Sequence, residues 1–335
     1  MSEPSTMRFG VSLLGLAQQP AGEDMIRRSE ELLTWVRLAR DAGYDHLTTG
    51  QHYLSTPLKG LQPVPLLARI IPESGTMRLV STIIGPLHNP VSLAEDWATL
   101  DVLSGGRVTL CLALGYRSEE YAAFGVDPSR RVRDLANVIE AVRSLWSGIP
   151  VTLTGRGFGL NGATCSLETV QDPHPPIWLA ANADAAVQRA ARLGLDWNIG
   201  AQATVPEIAR QTELYHAADP SAGRRGFPLS RELFCAATDE RAYELAAPYL
   251  LQKYQVRAKW RSDDRDAARP DGSLETLAQD RFIIGAPDTC EREIRRYQEL
   301  GVDRIHLRMN WPGMPLRMAV DGLERFAAEV LPRFR

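Results

Sequence analysis

Apolar residues in this chain fall into two alternating rhythms. Short continuous runs (MRFGVSLLG, DHLTTG, RLVSTIIG, RVTLCLALG, PIWLAA, DWNIG, SRELFCAA and RIHLRM) read as strands buried on both faces. Between them lie longer stretches with apolar residues three and four positions apart, the spacing of amphipathic helices. The first of these, MIRRSEELLTWVRLARDAG, puts Ile26, Leu33, Val36 and Ala39 on one face and stops at Gly43. Another, DERAYELAAPYLLQKYQVRAKW, reads as a helix interrupted at Pro248. The stripes Trp97/Leu100/Leu103 and Leu135/Ile139/Val142/Trp146 suit core or dimer packing. The pattern gives about eight strands, each followed by at least one helix. That order predicts a (β/α)8 TIM barrel with insertions, with a doubly wound open sheet as the alternative. No GxGxxG follows the first strand, which counts against a dinucleotide-binding unit of the open-sheet kind.

Two segments break the alternation. Residues 149–176, rich in Gly, Thr and Pro, predict a hairpin followed by a rigid proline stretch. Residues 257–286 begin polar and charged, and predict a solvated loop or a mobile lid over the barrel mouth. We read residues 1–335 as one barrel domain carrying both insertions.

Composition narrows the function classes. The formal net charge is -3 with no long basic block, so no nucleic-acid footprint is visible. No apolar run reaches the roughly 18 residues of a membrane span. The first residues lack a charged and then apolar secretory pattern, and the expected location is the cytoplasm. Cys111, Cys165, Cys235 and Cys290 show no CxxC spacing and read as buried small hydrophobes.

In a barrel the chemistry sits on loops after the carboxyl ends of the strands. Those loops bring Leu14 after the first strand, Gln51, His52 and Tyr53 after the second, and His88 and Asn89 after the third. Gly115, Tyr116 and Arg117 follow the fourth, Asn182 and Ala183 the fifth, Asn198 and Gly200 the sixth, and Asn310 and Trp311 the eighth. This set holds no paired carboxylates, no HExxH or other metal spacing and no GxSxG elbow. A mouth without strong acids or nucleophiles of its own suits a planar cofactor that carries the chemistry. Its Leu, Tyr and Trp residues point to a medium-sized organic substrate that is not highly charged.

At this point several ordered blocks become informative: EELLTWVRLARDAGYDHLTTGQHY, then STIIGPLHNPVSLAEDWATLDVLSGGRVTLCLALGYRSEEYAAFGVD and RRVRDLANVIEAVRSLWSG. PHPPIWLAANADAAVQRAARLGLDWN and IIGAPDTCEREIRRYQELGVDRIHLRM follow in the same order. Together they resemble the bacterial luciferase-like flavin-dependent monooxygenases over nearly the whole chain. The resemblance implies a (β/α)8 barrel, usually a homodimer, that uses FMN as FMNH2 supplied by a separate NAD(P)H:flavin reductase. Oxygen would add at flavin C4a and the flavin peroxide would oxygenate the substrate. A sister branch uses the deazaflavin F420 for hydride transfer, and a non-catalytic flavin-binding homologue is a third reading.

The resemblance also assigns roles. His52 matches the first histidine of an acidic-His-His stretch, as an acid/base near the flavin or as a hydrogen-bonding wall residue. Gln51 stands where that stretch has its acid and Tyr53 where it has its second histidine. The bond Ser81–Thr82 matches a non-prolyl cis peptide beneath the flavin ring. Gly115 and Tyr116 fall where the family contacts the flavin, and Arg131 matches an arginine that reaches the phosphate. Ala181, Asn182 and Ala183 match the phosphate-site helix start, where Ser or Thr donors are common and this chain has Ala183 and Ala186. Asp184 would repel a phosphate that it faced. Leu14, Tyr53, His88, Arg117 and Trp311 are the expected substrate contacts, with Arg117 alternatively a surface cation. No metal is expected.

Overall fold

The computed structural model describes residues 6–220, 226–260 and 273–335. Eight parallel strands form its centre: β1 (Arg8–Ser12), β2 (His46–Gly50), β3 (Arg78–Ile84), β4 (Val108–Ala113), β5 (Ile177–Ala181), β6 (Asp196–Ile199), β7 (Phe227–Cys235) and β8 (Val302–Arg308). Each pairs with its neighbour in chain order, and β8 returns to β1 through Ile305 opposite Phe9. The β6–β7 pairing, Ile199 opposite Leu229, closes the sheet. Closure decides for the barrel and against the open sheet. A ninth short strand, Ile283–Gly285, adds to the end of β7 through Leu233, Phe234 and Cys235.

The surrounding helices are α1 (Met25–Asp41), α2 (Pro63–Ile70), α3 (Pro90–Ser104), α4 (Arg131–Trp146), α5 (Asp184–Arg192), α6 (Val205–Ala218), α7 (Asp239–Trp260), α8 (Pro287–Glu299) and α9 (Leu316–Glu329). Their starts follow from local chemistry. Asp24 caps α1 by accepting from the Ile26 and Arg27 N–H groups, and Asn89 caps α3 ahead of Pro90. Thr204 and Glu207 form a reciprocal capping box at α6. The apolar helix faces and the outward strand residues make one core that includes Trp35, Trp97, Trp197 and Phe326.

Several expectations need correction. Ile26 is 76% exposed, because the α1 face toward the barrel is Arg28, Leu32, Trp35, Val36 and Ala39. Arg28 is buried there at little cost because Glu23 and Glu31 both pair with it. Leu103 also faces out, whereas Trp97, Leu100 and the whole Leu135–Trp146 stripe are buried. α7 runs through Pro248 without a break. The 149–176 insertion does contain a hairpin, Val151–Gly155 with Phe158–Ala163. Of the 257–286 stretch, residues 261–272 lie outside the described residues. Its end is not lid but framework, holding the helix Leu274–Ala278 and the sheet strand Ile283–Gly285.

The barrel interior is polar toward its amino-terminal end. His46 on β2 and His306 on β8 meet ring to ring, with Nε2 of His46 2.6 Å from Nδ1 of His306. Gly10 makes this possible, since a Cβ there would lie 2.1 Å from the His46 ring. Burial holds the His46 imidazole down at about 3, so the pair is neutral and packs as aromatic rings on Trp178.

Candidate functional site

The carboxyl ends of β2 and β4 bring three side chains into a chain of contacts. His52 Nδ1 lies 3.1 Å from Glu120 Oε1, and His52 Nε2 lies 3.4 Å from the Tyr116 hydroxyl. A carboxylate only accepts hydrogen bonds, so Nδ1 carries the proton and Nε2 presents its lone pair toward Tyr116. His52 is 12% exposed while Glu120 is 1% exposed, so the relay is wet at the imidazole and dry at the acid. Glu120 Oε1 also accepts from the Tyr53 N–H at 2.8 Å and faces Arg117 at 3.6 Å. The sequence map had no acid for His52 because it looked beside the histidine, at Gln51. Glu120 comes instead from the helix Ser118–Ala123 after β4, sixty-eight positions along the chain.

Gln51 has a different job. Its Oε1 accepts from the Ile84 N–H at 3.1 Å and from His88 at 2.8 Å, and its Nε2 donates to the Tyr53 hydroxyl at 2.9 Å. It therefore ties the ends of β2 and β3 together and fixes Tyr53 and His88. Burial lowers the His88 imidazole to about 4, so at neutral pH it donates from Nε2 as an uncharged ring. These loops rest on a small apolar cluster of their own, Ile84, Leu87, Tyr121 and Val126 with Tyr53 against it, separate from the main core. Gly115 turns the chain above that cluster at φ +83, and a Cβ there would lie 2.6 Å from Ile84.

Three expectations come out differently. Arg117 is no surface cation: it is 3% exposed and donates to the carbonyls of Tyr53 at 2.6 Å and Leu54 at 3.0 Å. It clamps the loop that carries His52, so its guanidinium serves backbone carbonyls where a substrate contact was expected. Trp311 is fully buried, and its indole N–H donates to Glu232 Oε2 at 2.6 Å, which removes it from the cavity wall. The Ser81–Thr82 bond is trans, the cis bonds among the described residues being Thr56–Pro57 and Asp172–Pro173. Both residues pair in register with β2 and β4, and an extended trans unit serves both ladders at once. Ser81 is buried completely, while Thr82 is partly buried and hydrogen-bonds Cys111.

The β5 end presents an uncapped helix. Ala183 occupies the cap position of α5 without a side-chain hydrogen bond; its carbonyl takes the Ala186 N–H, so an anion at this end would meet the Asp184 and Ala185 N–H groups. Asp184 does not oppose this. Arg210 grips its carboxylate with two hydrogen bonds at 2.7 and 2.8 Å, Gln211 adds a third, and together they hold it at about 2. The Ala181 carbonyl is taken by the Trp197 indole and the Asn182 carbonyl by Gln211, so this corner is held rigidly. Arg131, at the start of α4, hydrogen-bonds Tyr121, which places it by the β4 end near Gly115. The donor set therefore fits a phosphate-bearing cofactor.

A cavity opens on the β1–β8 side of the same mouth. Its empty space is about 810 Å³ when the part open to solvent is counted. Leu14 lies between the two halves, lining this cavity and standing next to Gly50 at the start of the His52 loop. The sequence map missed the charges here. Lys253 of α7 and Arg308 of β8 line the cavity, and Glu232 of β7 lies behind them, fully buried. Burial by itself would raise the Glu232 carboxyl. The charges of Lys253 and Arg308 and the hydrogen bonds from Lys253 and Trp311 outweigh it and hold the group at about 2. The available signal was a glutamate inside the otherwise apolar run ELFC.

One mouth of this barrel thus carries an imidazole–carboxylate pair and a helix start without a side-chain cap. The luciferase-like monooxygenase family model matches residues 7–304, and the chain belongs to that family. The oxygenase component of the flavin-dependent trigonelline monooxygenase of Acinetobacter baylyi is 24% identical, covering 91% of this chain and 89% of that protein. The F420-dependent glucose-6-phosphate dehydrogenase of Nocardia farcinica is 25% identical, covering 91% and 94%. The crystal structure of monooxygenase RslO1 from Streptomyces bottropensis superposes with a TM-score of 0.87 at 24% identity, covering 98% and 100%. Among the described residues no helix is long and apolar enough to cross a membrane, and no group of three or more potential ligands could hold a metal ion.

Proposed function

We propose that this protein is the oxygenase of a two-component, FMNH2-dependent monooxygenase acting on a small to medium organic substrate. The observation that carries the reading is the Glu120–His52–Tyr116 chain at the barrel mouth, with an uncapped α5 on the same face. Bound FMNH2 would supply the electrons and the oxygen-activating centre. The first-turn N–H groups of α5 and Arg131 would hold its phosphate, and Gly115, Tyr116, Thr82 and Asn182 would border the rest. His52 would take or return a proton at Nε2, and Tyr116 would relay it. Glu120 keeps the Nδ1–H tautomer in place, and Arg117 fixes the loop that carries the imidazole. We place the enzyme in the cytoplasm as a homodimer fed by a separate NAD(P)H:flavin reductase.

A second reading is F420-dependent hydride transfer. It draws on the absence of side-chain hydroxyl donors at Ala183 and Ala186, and on the F420-dependent relative. Anaerobic titration of the protein with reduced FMN and, in parallel, F420 separates the two. Tighter FMNH2 binding, followed by oxygen-dependent product formation, is expected. Preference for F420 would replace the mechanism while leaving the barrel and His52 in place. In Glu120→Gln the flavin affinity should hold within about twofold while turnover falls by about 10²-fold, the usual scale of acid–base catalysis.

A further inference from the structure

The β6 end presents a hydrogen-bonding edge that neither the His52 relay nor the α5 corner uses. Trp197 and Ile199 belong to the main core, so by strand alternation Asn198 between them faces the barrel interior. In register beside it stand Ala180 of β5 and Ala113 of β4, both only partly buried. Three neighbouring strands thus offer the mouth two methyl groups and one amide, a floor flat enough for a planar ring. Asn198 is 8% exposed. Its Nδ2 donates to Cys111 Sγ at 3.3 Å, whereas its Oδ1 is buried with no hydrogen-bond partner among the described residues. A buried acceptor left unspent is costly unless a ligand completes it.

A donor lies three residues further on. Arg231 of β7 is fully buried, stacks on the Tyr297 ring at 4.5 Å and donates to the carbonyls of Gly200 at 3.1 Å and Ala203 at 2.7 Å. Leu229 and Leu233 put this face of β7 against the main core, and Tyr297 belongs to α8, so the Gly200 carbonyl is drawn outward. Across a trans peptide the N–H points opposite to the carbonyl, which turns the Ala201 N–H inward, to the mouth. Ala201 is fully buried, and its N–H has no hydrogen-bond partner among the described residues. Unpaired buried N–H groups are rare in folded proteins.

An acceptor and a donor on one edge select a ligand that offers both in return. A phosphate or carboxylate only accepts, and would set its lone pairs against Oδ1. A cyclic imide carries an N–H next to a carbonyl and meets both groups. We propose that Asn198 and Ala201 read the imide edge of the isoalloxazine ring, with Oδ1 accepting from the ring N3–H and the Ala201 N–H donating to a carbonyl beside it. Arg231 is the positioning residue that keeps the Ala201 N–H turned inward. This rests on the reading that a flavin occupies the mouth; the oxygen chemistry is not needed, because a deazaflavin has the same edge.

The test is anaerobic calorimetric titration of the full chain with reduced FMN and reduced 3-methyl-FMN, in which a methyl group replaces the N3 proton, with F420 alongside. FMN is expected to bind at least about tenfold more tightly than its methyl analogue, the scale of leaving a buried acceptor unpaired. Asn198→Ala removes the acceptor and makes room for the methyl group, so the two flavins should then bind within about twofold of each other. For Arg231 the readout is the infrared carbonyl bands of bound, ring-13C-labelled FMN. In Arg231→Gln one band should move to higher wavenumber as its hydrogen bond weakens, and Arg231→Lys should move it back. An unmoved band in folded Arg231→Gln would overturn the role given to Arg231; if that variant does not fold, the Asn198 comparison decides alone. Equal binding of the two flavins by the wild-type chain, or an unchanged preference in Asn198→Ala, would overturn the proposal and leave the monooxygenase reading intact. If F420 binds in place of FMN and Asn198→Ala weakens it about tenfold, the proposal stands and the monooxygenase reading fails. If neither cofactor binds, both fail.

Discussion

Replacing Glu232 with Gln gives a stability experiment whose size and sign follow from the buried cluster. In the folded protein this carboxyl is held at about 2, against an ordinary value of 4.5. A depressed folded value means the carboxylate contributes stability above the unfolded pKa, and that contribution drains away as pH falls toward the folded one. The full difference corresponds to about 3 kcal/mol, spread over the window from pH 4.5 down to about 2. By pH 3.5 about 1.4 kcal/mol of it should be gone. Removing the charge also takes from Lys253 and Arg308 the buried carboxylate they share, so Glu232→Gln should cost about 3–5 kcal/mol at neutral pH. The assay is urea unfolding of both proteins, followed by tryptophan fluorescence, at steps from pH 6.5 to 3.5. Other carboxylates titrate in the same range, but they cancel in the difference between the two proteins. The gap should narrow by about 1.4 kcal/mol over that range. A gap that stays constant would mean that Glu232 does not ionise against Lys253 and Arg308, and would refute the account of the cluster.

Other consequences can be checked separately. The His88 ring signals should titrate near 4 in NMR, because burial disfavours its charged form; a midpoint near the ordinary 6.5 would contradict its packing against Gln51. Gly115→Ala must place a side chain at φ +83 and 2.6 Å from Ile84, so a loss of about 2–3 kcal/mol in chemical unfolding is expected, and a neutral result would count against the strained turn. Arg210→Met frees the Asp184 carboxylate beside the α5 amino terminus, and flavin mononucleotide should then bind about five- to tenfold more weakly, while riboflavin, which lacks the phosphate, should be unaffected. Equal losses for the two flavins would place the phosphate elsewhere.

The barrel was readable in the sequence because its strands are apolar runs and its helices are punctuated by Gly43, Gly105 and Gly148. The loop map also placed His52, Tyr116 and the α5 start at one mouth, since in a parallel barrel the carboxyl ends of all strands converge. What it lacked were partners from other loops. Glu120 reaches His52 only after the chain has passed through β3 and β4, and local reading offers no distance between them. Arg117 and Trp311 looked like mouth residues because they follow strands. Their fate depended on whether a carbonyl or a buried carboxylate lay within reach, which is a property of packing. The Lys253–Glu232–Arg308 cluster joins a helix and two strands, and the one local hint was an acid inside a strand.

The small cluster beneath the His52 loop has a bearing on how the protein fails. Ile84, Leu87, Tyr121 and Val126 form a patch of apolar packing set apart from the barrel's main core. A unit that small can open while the strands and outer helices stay intact. Inactivation and global melting should therefore be two events on a temperature scale. Heating would first let the β2 and β4 loops part, separating the imidazole from its acid, and cooling would rejoin them with the barrel still folded to guide their return.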